Sequence, residues 1–201
     1  MIKKAIPAAL MSASLMVSAA AVAATDYVID TKGMHAFIEF RIKHLGYSWL
    51  LGRFNRFEGE FSYDEKHPGK NRVEVTIDVS SLDSNHAERD KHLRSKLFFD
   101  TDKYPRASFV STGWEQKGEG KAVLRGNFTL RGITREVAID VSDVSDVSDV
   151  SHGPDPWGGY RRGFQGETVL HLSDWNMKEA KILGDAAEDI HVYLSVEGIR
   201  K

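Results

Sequence analysis

Residues 72–79 read Arg-Val-Glu-Val-Thr-Ile-Asp-Val, with Val73, Val75, Ile77 and Val79 on one parity and Arg72, Glu74, Thr76 and Asp78 on the other. A two-residue period puts every aliphatic side chain on one face of an extended strand and the polar ones on the opposite face, which a 3.6-residue helix cannot do. The pattern recurs on either side of this stretch. Ala36, Ile38, Phe40 and Ile42 alternate with Phe37, Glu39, Arg41 and Lys43, and Phe57, Gly59, Phe61 and Tyr63 alternate with Glu58, Glu60 and Ser62. Downstream, Ala122, Leu124, Gly126, Phe128 and Leu130 face away from Lys121, Arg125, Asn127 and Arg131, and further runs follow at 137–141, 164–172 and 190–196. Each run has one apolar and one mostly polar face, as antiparallel strands with one side in a core do. Turn-rich stretches at 64–69, 117–120 and 131–134 separate the runs. About eight such strands, with no second domain, point to an all-β fold, a closed antiparallel barrel, with a two-sheet sandwich as the competing architecture.

Two segments break the period. Residues 85–96 have no alternation and are rich in helix formers; Asn85 and Glu88 stand at capping-box spacing, so a short helix of about three turns is expected there. Leu93 is its one strongly apolar side chain, which places it over a barrel mouth or beside the barrel. Residues 141–151 repeat Val-Ser-Asp, and a three-residue period cannot keep its valines on one strand face. Asp143, Asp146 and Asp149 lack the spacing and glycine turn of a calcium loop. The repeat is read as a triplet duplication that lengthens a strand end or loop, and no function is assigned to it. Gly59, Gly126 and Gly166 fall on the apolar parity, where they mark sharp curvature, a bulge or the close approach of a ligand.

The chain has 201 residues, with 27 Lys+Arg against 29 Asp+Glu and a formal net charge of -2. Without a basic excess, a nucleic-acid partner is not expected. It has no cysteine, which excludes disulfides, thiolate metal sites, redox pairs and cysteine nucleophiles. Residues 1–23 begin with Lys3 and Lys4, continue as a short apolar stretch and end in Ala21-Val-Ala23, the layout of a secretory signal peptide cleaved after Ala23. The mature domain is then 24–201, exported and without stable membrane insertion, since no other stretch is apolar enough to span a bilayer.

No nucleophile elbow, H-E-x-x-H helix, phosphate loop or dinucleotide fingerprint occurs, so no catalytic residue and no cofactor is expected. His86 and Asp90 share a helix face, but two ligands without a third do not make a metal site; a solvated or capping role is expected, and no metal. The sequon at Asn127-Phe-Thr129 lies inside a strand. What remains is aromatic: four Trp, six Tyr and ten Phe, concentrated at 44–57 and 154–164. A barrel of about eight strands can be filled with side chains or can hold one small ligand. An apolar lining with a few polar or cationic groups at one end suits an amphipathic lipid.

The strings His35-Ala-Phe37, Arg41-Ile-Lys-His-Leu-Gly-Tyr-Ser-Trp49, Asp83-Ser-Asn-His-Ala-Glu-Arg-Asp-Lys-His-Leu-Arg-Ser95, Lys103-Tyr-Pro105 and Asp155-Pro-Trp-Gly-Gly159 resemble the YceI-like family of periplasmic or secreted polyisoprenoid-binding proteins. The resemblance runs over essentially the whole mature chain. It implies a lipocalin-like antiparallel eight-stranded β-barrel with one short helix, a pocket for an isoprenoid quinone or polyprenyl phosphate, a periplasmic location and an association with stress. The Val-Ser-Asp repeat departs from the family's pattern.

On this reading the tail of the lipid is expected against Ile38, Phe40, Ile42, Phe57, Phe61, Val75, Ile77, Phe109, Phe128, Leu130, Ile139, Val192 and Leu194. The head is expected at a mouth formed by His44, Tyr47, Trp49, His86, Arg89, His92 and Arg94. A carrier or store for a long-chain isoprenoid lipid competes with two other readings. One is an enzyme that modifies such a lipid, and the other is a filled barrel acting through its surface in a protein complex. Monomer and homodimer both remain open.

Overall fold

The computed structural model describes residues 24–143, 151–177, 184 and 187–201. The expected signal peptide and residues 144–150 of the Val-Ser-Asp repeat lie outside the described residues. Twelve strands form one antiparallel sheet: β1 (Thr25–Ile29), β2 (Phe37–His44), β3 (Ser48–Phe54), β4 (Phe57–Tyr63), β5 (Arg72–Asp78), β6 (Leu82–Asp83), β7 (Arg106–Gly118), β8 (Lys121–Leu130), β9 (Ile133–Ser142), β10 (His152–Pro154), β11 (Tyr160–His171) and β12 (Asp189–Arg200).

The pairings reduce these twelve to eight staves. β1 and β2 both run along the same edge of β12, the first against its C-terminal end and the second against its N-terminal half. β3 pairs with β2 and β4 with β1, so β3 and β4 form one stave broken at Asn55 and Arg56. β5 and β6 continue the pattern across a short 3-10 turn at Val79–Ser81. β9 and β10 share the edge of β11 in the same way. With β7, β8, β11 and β12 unbroken, each stave follows its predecessor around the ring, and β11–β12 and β12–β1/β2 pairing closes it. The chain is thus an up-and-down, closed eight-stave barrel, as the resemblance implies. Its longest unbroken stave, β7, has 13 residues, or about 43 Å of strand, and at the usual tilt the bore runs about 30 Å.

The outer wall carries Glu39, Arg41 and Lys43 on β2 and Glu74 on β5, all exposed. A membrane barrel has an apolar band there. Among the described residues there is one α-helix, α1 (Ala87–Arg94), and no helix is long and apolar enough to cross a membrane.

α1 corrects the expected cap. It starts one residue later than the capping box implies and makes about two turns. His86 is the N-cap, accepting the Arg89 N–H through Nδ1 at 3.2 Å. Asn85 cannot serve, because its φ of 61° is left-handed whereas an N-cap residue is extended. Its N–H is held instead by the Asp83 carboxylate at 2.9 Å.

Candidate functional site

The inward parity read from the sequence becomes the wall of an apolar cavity of about 180 Å³. Residues of β12 show that it is hollow. Ile190, Val192, Leu194 and Val196 pack against the core at their flanks and yet are only half-buried, since each also borders the open bore. Glycines on the wall help keep it open. A Cβ on Gly52 would lie 2.3 Å from the tip of the Phe40 ring, and one on Gly126 2.4 Å from Phe109. A Cβ on Gly198 would lie 2.4 Å from Phe61. Each ring tip therefore rests over a glycine of another strand and leaves the middle of the bore free.

The two ends differ. At the end near α1, Leu82, Trp175, Met177 and Ala187 are at most 1% exposed and close the barrel together with Phe98, Phe99 and Leu172. The Trp175 ring packs edge-on to Phe128 at 5.6 Å, and its Nε1 donates to the Ile133 carbonyl at 3.0 Å. At the opposite end, half-buried Tyr63, Trp114 and Phe164 meet with centroid separations of 5.4–5.9 Å. A β-bulge between Ser111 and Gly113 shifts the parity of β7, so that Trp114, paired with inward Leu124, borders the cavity. Arg162 lies over the Tyr63 ring at 4.1 Å and donates through Nη2 to Glu65 at 2.8 Å. Burial, partly offset by the positive charge of Arg162, raises the pKa of the Tyr63 hydroxyl above its usual value.

Twelve of the thirteen residues expected against a lipid tail border this cavity: Ile38, Phe40, Phe57, Phe61, Val75, Ile77, Phe109, Phe128, Leu130, Ile139, Val192 and Leu194. Ile42 is inward too, but is packed in the closed end. Tyr63, Trp114, Phe164, Phe54 and Trp175 border the cavity without having been expected there. None of the seven residues expected at a mouth borders it. His86 caps α1, while Arg89 donates to the Ser84 hydroxyl at 2.7 Å and to its carbonyl. Arg94 donates to the Ser80 carbonyl at 2.9 Å and to that of Leu82. His92 packs edge-on to Phe98. Trp49 lies under Arg41 and Lys43 on the outer wall, Tyr47 is 88% exposed, and half-buried His44 ends β2.

The motif residues that carry the resemblance mostly fasten joints. Asp90 is buried and accepts the Ser84 N–H at 2.9 Å, tying α1 to the stave before it. Asp155 folds its own loop, accepting from the Trp157 and Gly159 N–H groups and from Arg161 Nε at 2.8 Å. Arg161 also bonds Asp30 at 2.8 Å and Glu197. Burial pushes the Asp30 carboxyl up, but hydrogen bonds from His35, Arg161 and the Gly33 N–H outweigh it and bring the pKa down to about 2. Asp30, His35 and Glu197 converge as metal ligands would, but the Arg161 guanidinium already supplies a cation to both carboxylates.

A family model described as the YceI-like domain matches residues 27–198. A UPF0312 protein of Pseudomonas aeruginosa strain LESB58 is 49% identical over 201 residues, which is 100% of each chain. Among solved structures, BcnA of Burkholderia cenocepacia is similar with a TM-score of 0.71 at 20% identity, over 84% of this chain and 98% of its own. A polyisoprenoid binding domain from Saccharophagus degradans, implicated in plant cell wall breakdown, is similar with a TM-score of 0.60 at 15% identity, over 87% and 98%. At these identities the two structures bear on the fold.

Proposed function

The chain belongs to the YceI-like family, and from that premise we propose that it is a periplasmic binding protein that carries or stores a long-chain isoprenoid lipid, the tail lying in the bore. The observation that supports this most is the cavity, apolar along its length, closed by Trp175 and Met177 at one end and edged by Tyr63, Trp114 and Phe164 at the other. Such a shape suits one long hydrocarbon chain inserted end-on. Each buried CH₂ contributes about 0.8 kcal/mol, so a few isoprene units give roughly 10 kcal/mol before ordering costs. The binding domain from Saccharophagus degradans, a structural neighbour, supports the ligand class.

The reading is of binding without turnover, because a wall of aliphatic and ring carbon gives an acid–base step little to work with. The test is mass spectrometry of the organic extract of protein purified from the periplasm of its own source. A stoichiometric isoprenoid in the extract is the expected result. A clean extract after mild purification would refute the carrier reading and favour a barrel that works through its outer surface.

A further inference from the structure

Arg162 has the parity of Phe164, Gly166, Thr168 and Leu170, all of which border the bore, and stands one step further toward the aromatic end. It is 6% exposed. Its guanidinium lies against the rings of Tyr63 at 4.1 Å and Phe164 at 5.9 Å. Its bond to the described residues is the one from Nη2 to Glu65 at 2.8 Å, while buried Nε has no acceptor among them. A buried donor without a partner is destabilising, and more so on a permanent cation. Nε and Nη2 form the edge of a guanidinium that takes two oxygens of one carboxylate or phosphate side by side. Here half of that edge is empty, and the other half is held by Glu65, whose side chain is 61% exposed.

We infer that the lipid's polar end lies against Arg162 and carries an oxyanion, which displaces Glu65 and takes Nε and Nη2 together. This rests on the proposal that the bore holds an isoprenoid tail, and it adds the chemical class of the head and the end of the barrel at which it sits. The other charged and titratable groups around the position fit an oxyanion exchange. His152 Nε2 lies 3.7 Å from Glu65, and its Nδ1 shares a 2.6 Å hydrogen bond with the Tyr160 hydroxyl, so a released Glu65 keeps a neighbour. Two acidic groups set the local field, Glu65 on Nη2 and Asp143, whose charge acts on the Tyr63 hydroxyl, and they favour a ligand able to replace a carboxylate on the arginine over a loosely held anion.

Three probes that share one tail separate the possibilities: geranylgeranyl phosphate, geranylgeranoic acid and geranylgeraniol. Each is titrated into the wild-type chain below its micelle-forming concentration, with Trp114, beside Tyr63 and Phe164, as the fluorescent reporter. The expected result is that at least one anionic probe binds about 10- to 100-fold more tightly than the alcohol. Arg162→Gln and Arg162→Lys should both bring the anionic probe down to the affinity the same variant has for the alcohol, since lysine keeps the charge but lacks the two-donor edge. Glu65→Gln, at an exposed position whose amide oxygen can still accept from Nη2, should tighten the anionic probe by removing its charged competitor. If all three probes bind alike, or the preference survives both Arg162 variants, the oxyanion assignment is overturned and the carrier reading stands. If no probe binds, both fall.

Discussion

Replacing Gly52 by alanine should push the Phe40 ring off the wall and into the bore. The three nearest atoms to a Cβ at position 52 all belong to that ring, at 2.3, 2.8 and 3.0 Å. Carbon–carbon contacts are comfortable at about 3.5–4.0 Å, so the ring tip must retreat by about 1.2–1.7 Å. Phe40 and Gly52 are direct partners across β2 and β3, and the Phe54 ring, 5.6 Å from that of Phe40, limits movement sideways. Overpacking of this size costs about 1–3 kcal/mol, which for a chain of this length lowers Tm by about 2–12 °C. Phe40→Leu alone loses part of a buried ring, but it also removes the tip that meets position 52. The double variant Gly52→Ala/Phe40→Leu should therefore be as stable as Phe40→Leu within about 0.5 kcal/mol. Denaturant melts of the four proteins complete the cycle, and lipid recovered from each reports on the bore, with Gly52→Ala expected to retain less than wild type. Additive losses in the cycle, or an unperturbed Gly52→Ala, would refute the claim that wall glycines hold the rings aside.

Three other outcomes follow from the same geometry. Phe40→Asp puts a charge on the cavity wall and should abolish lipid retention while the circular dichroism of the barrel persists; undiminished lipid would mean that the tail lies elsewhere. Leu82→Ala, at a site with 0% exposure, should cost about 2–5 kcal/mol, whereas Leu194→Ala, which already faces open space, should cost less than half as much in denaturant melts; equal losses would argue that the bore is filled. Asp30, lowered from 3.8 to about 2, contributes stability that is fully present above pH 4 and is lost as pH falls toward 2, about 1–2 kcal/mol after allowance for screening. Asp30→Asn should be less stable than wild type at pH 7 and converge on it near pH 2, and a gap that does not change with pH would count against the network around Arg161.

The inward face was legible on β2, β4, β5, β8, β9, β11 and β12 because period two survives there, as from Arg72 to Val79 and from Ile190 to Val196, and a slip of one residue would have turned an entire apolar set outward. Trp114 was not legible for the complementary reason. The bulge after Ser111 inverts parity inside a strand, and nothing in Ser-Thr-Gly-Trp announces it. The aromatic end was hidden because it is assembled from three strands far apart in sequence, β4, β7 and β11, whose closeness depends on ring closure. The histidines and arginines of the 83–95 motif stand out in the sequence as candidate head-group contacts, yet in the fold Arg89 and Arg94 spend their donors on the backbone of their own stave. Dense polar motifs mark joints as readily as sites. Arg162 shows the converse: one basic residue in a run of two, distinguished only by the parity that turns it inward while Arg161 faces the acidic network outside.

The ring closes through β12, which pairs β11 on one edge and both β1 and β2 on the other. Tyr27 meets Arg200, so the last seam joins positions about 170 residues apart, and bringing them together costs about 3 kcal/mol more loop entropy than a four-residue hairpin. Every earlier stave can zip onto its neighbour as a local hairpin, but none of these steps shuts the barrel. Until β12 arrives, the assembly is a curled ribbon with two bare edges, β11 and β1/β2, and an apolar trough in place of a bore. Folding is then expected to show a fast phase of hairpin growth and a slow, concentration-sensitive closing phase in which chains that meet edge to edge are lost to aggregation. A long apolar ligand already lying in the trough would template the final seam, and a lipid bound in this way would be a folding partner as well as a passenger.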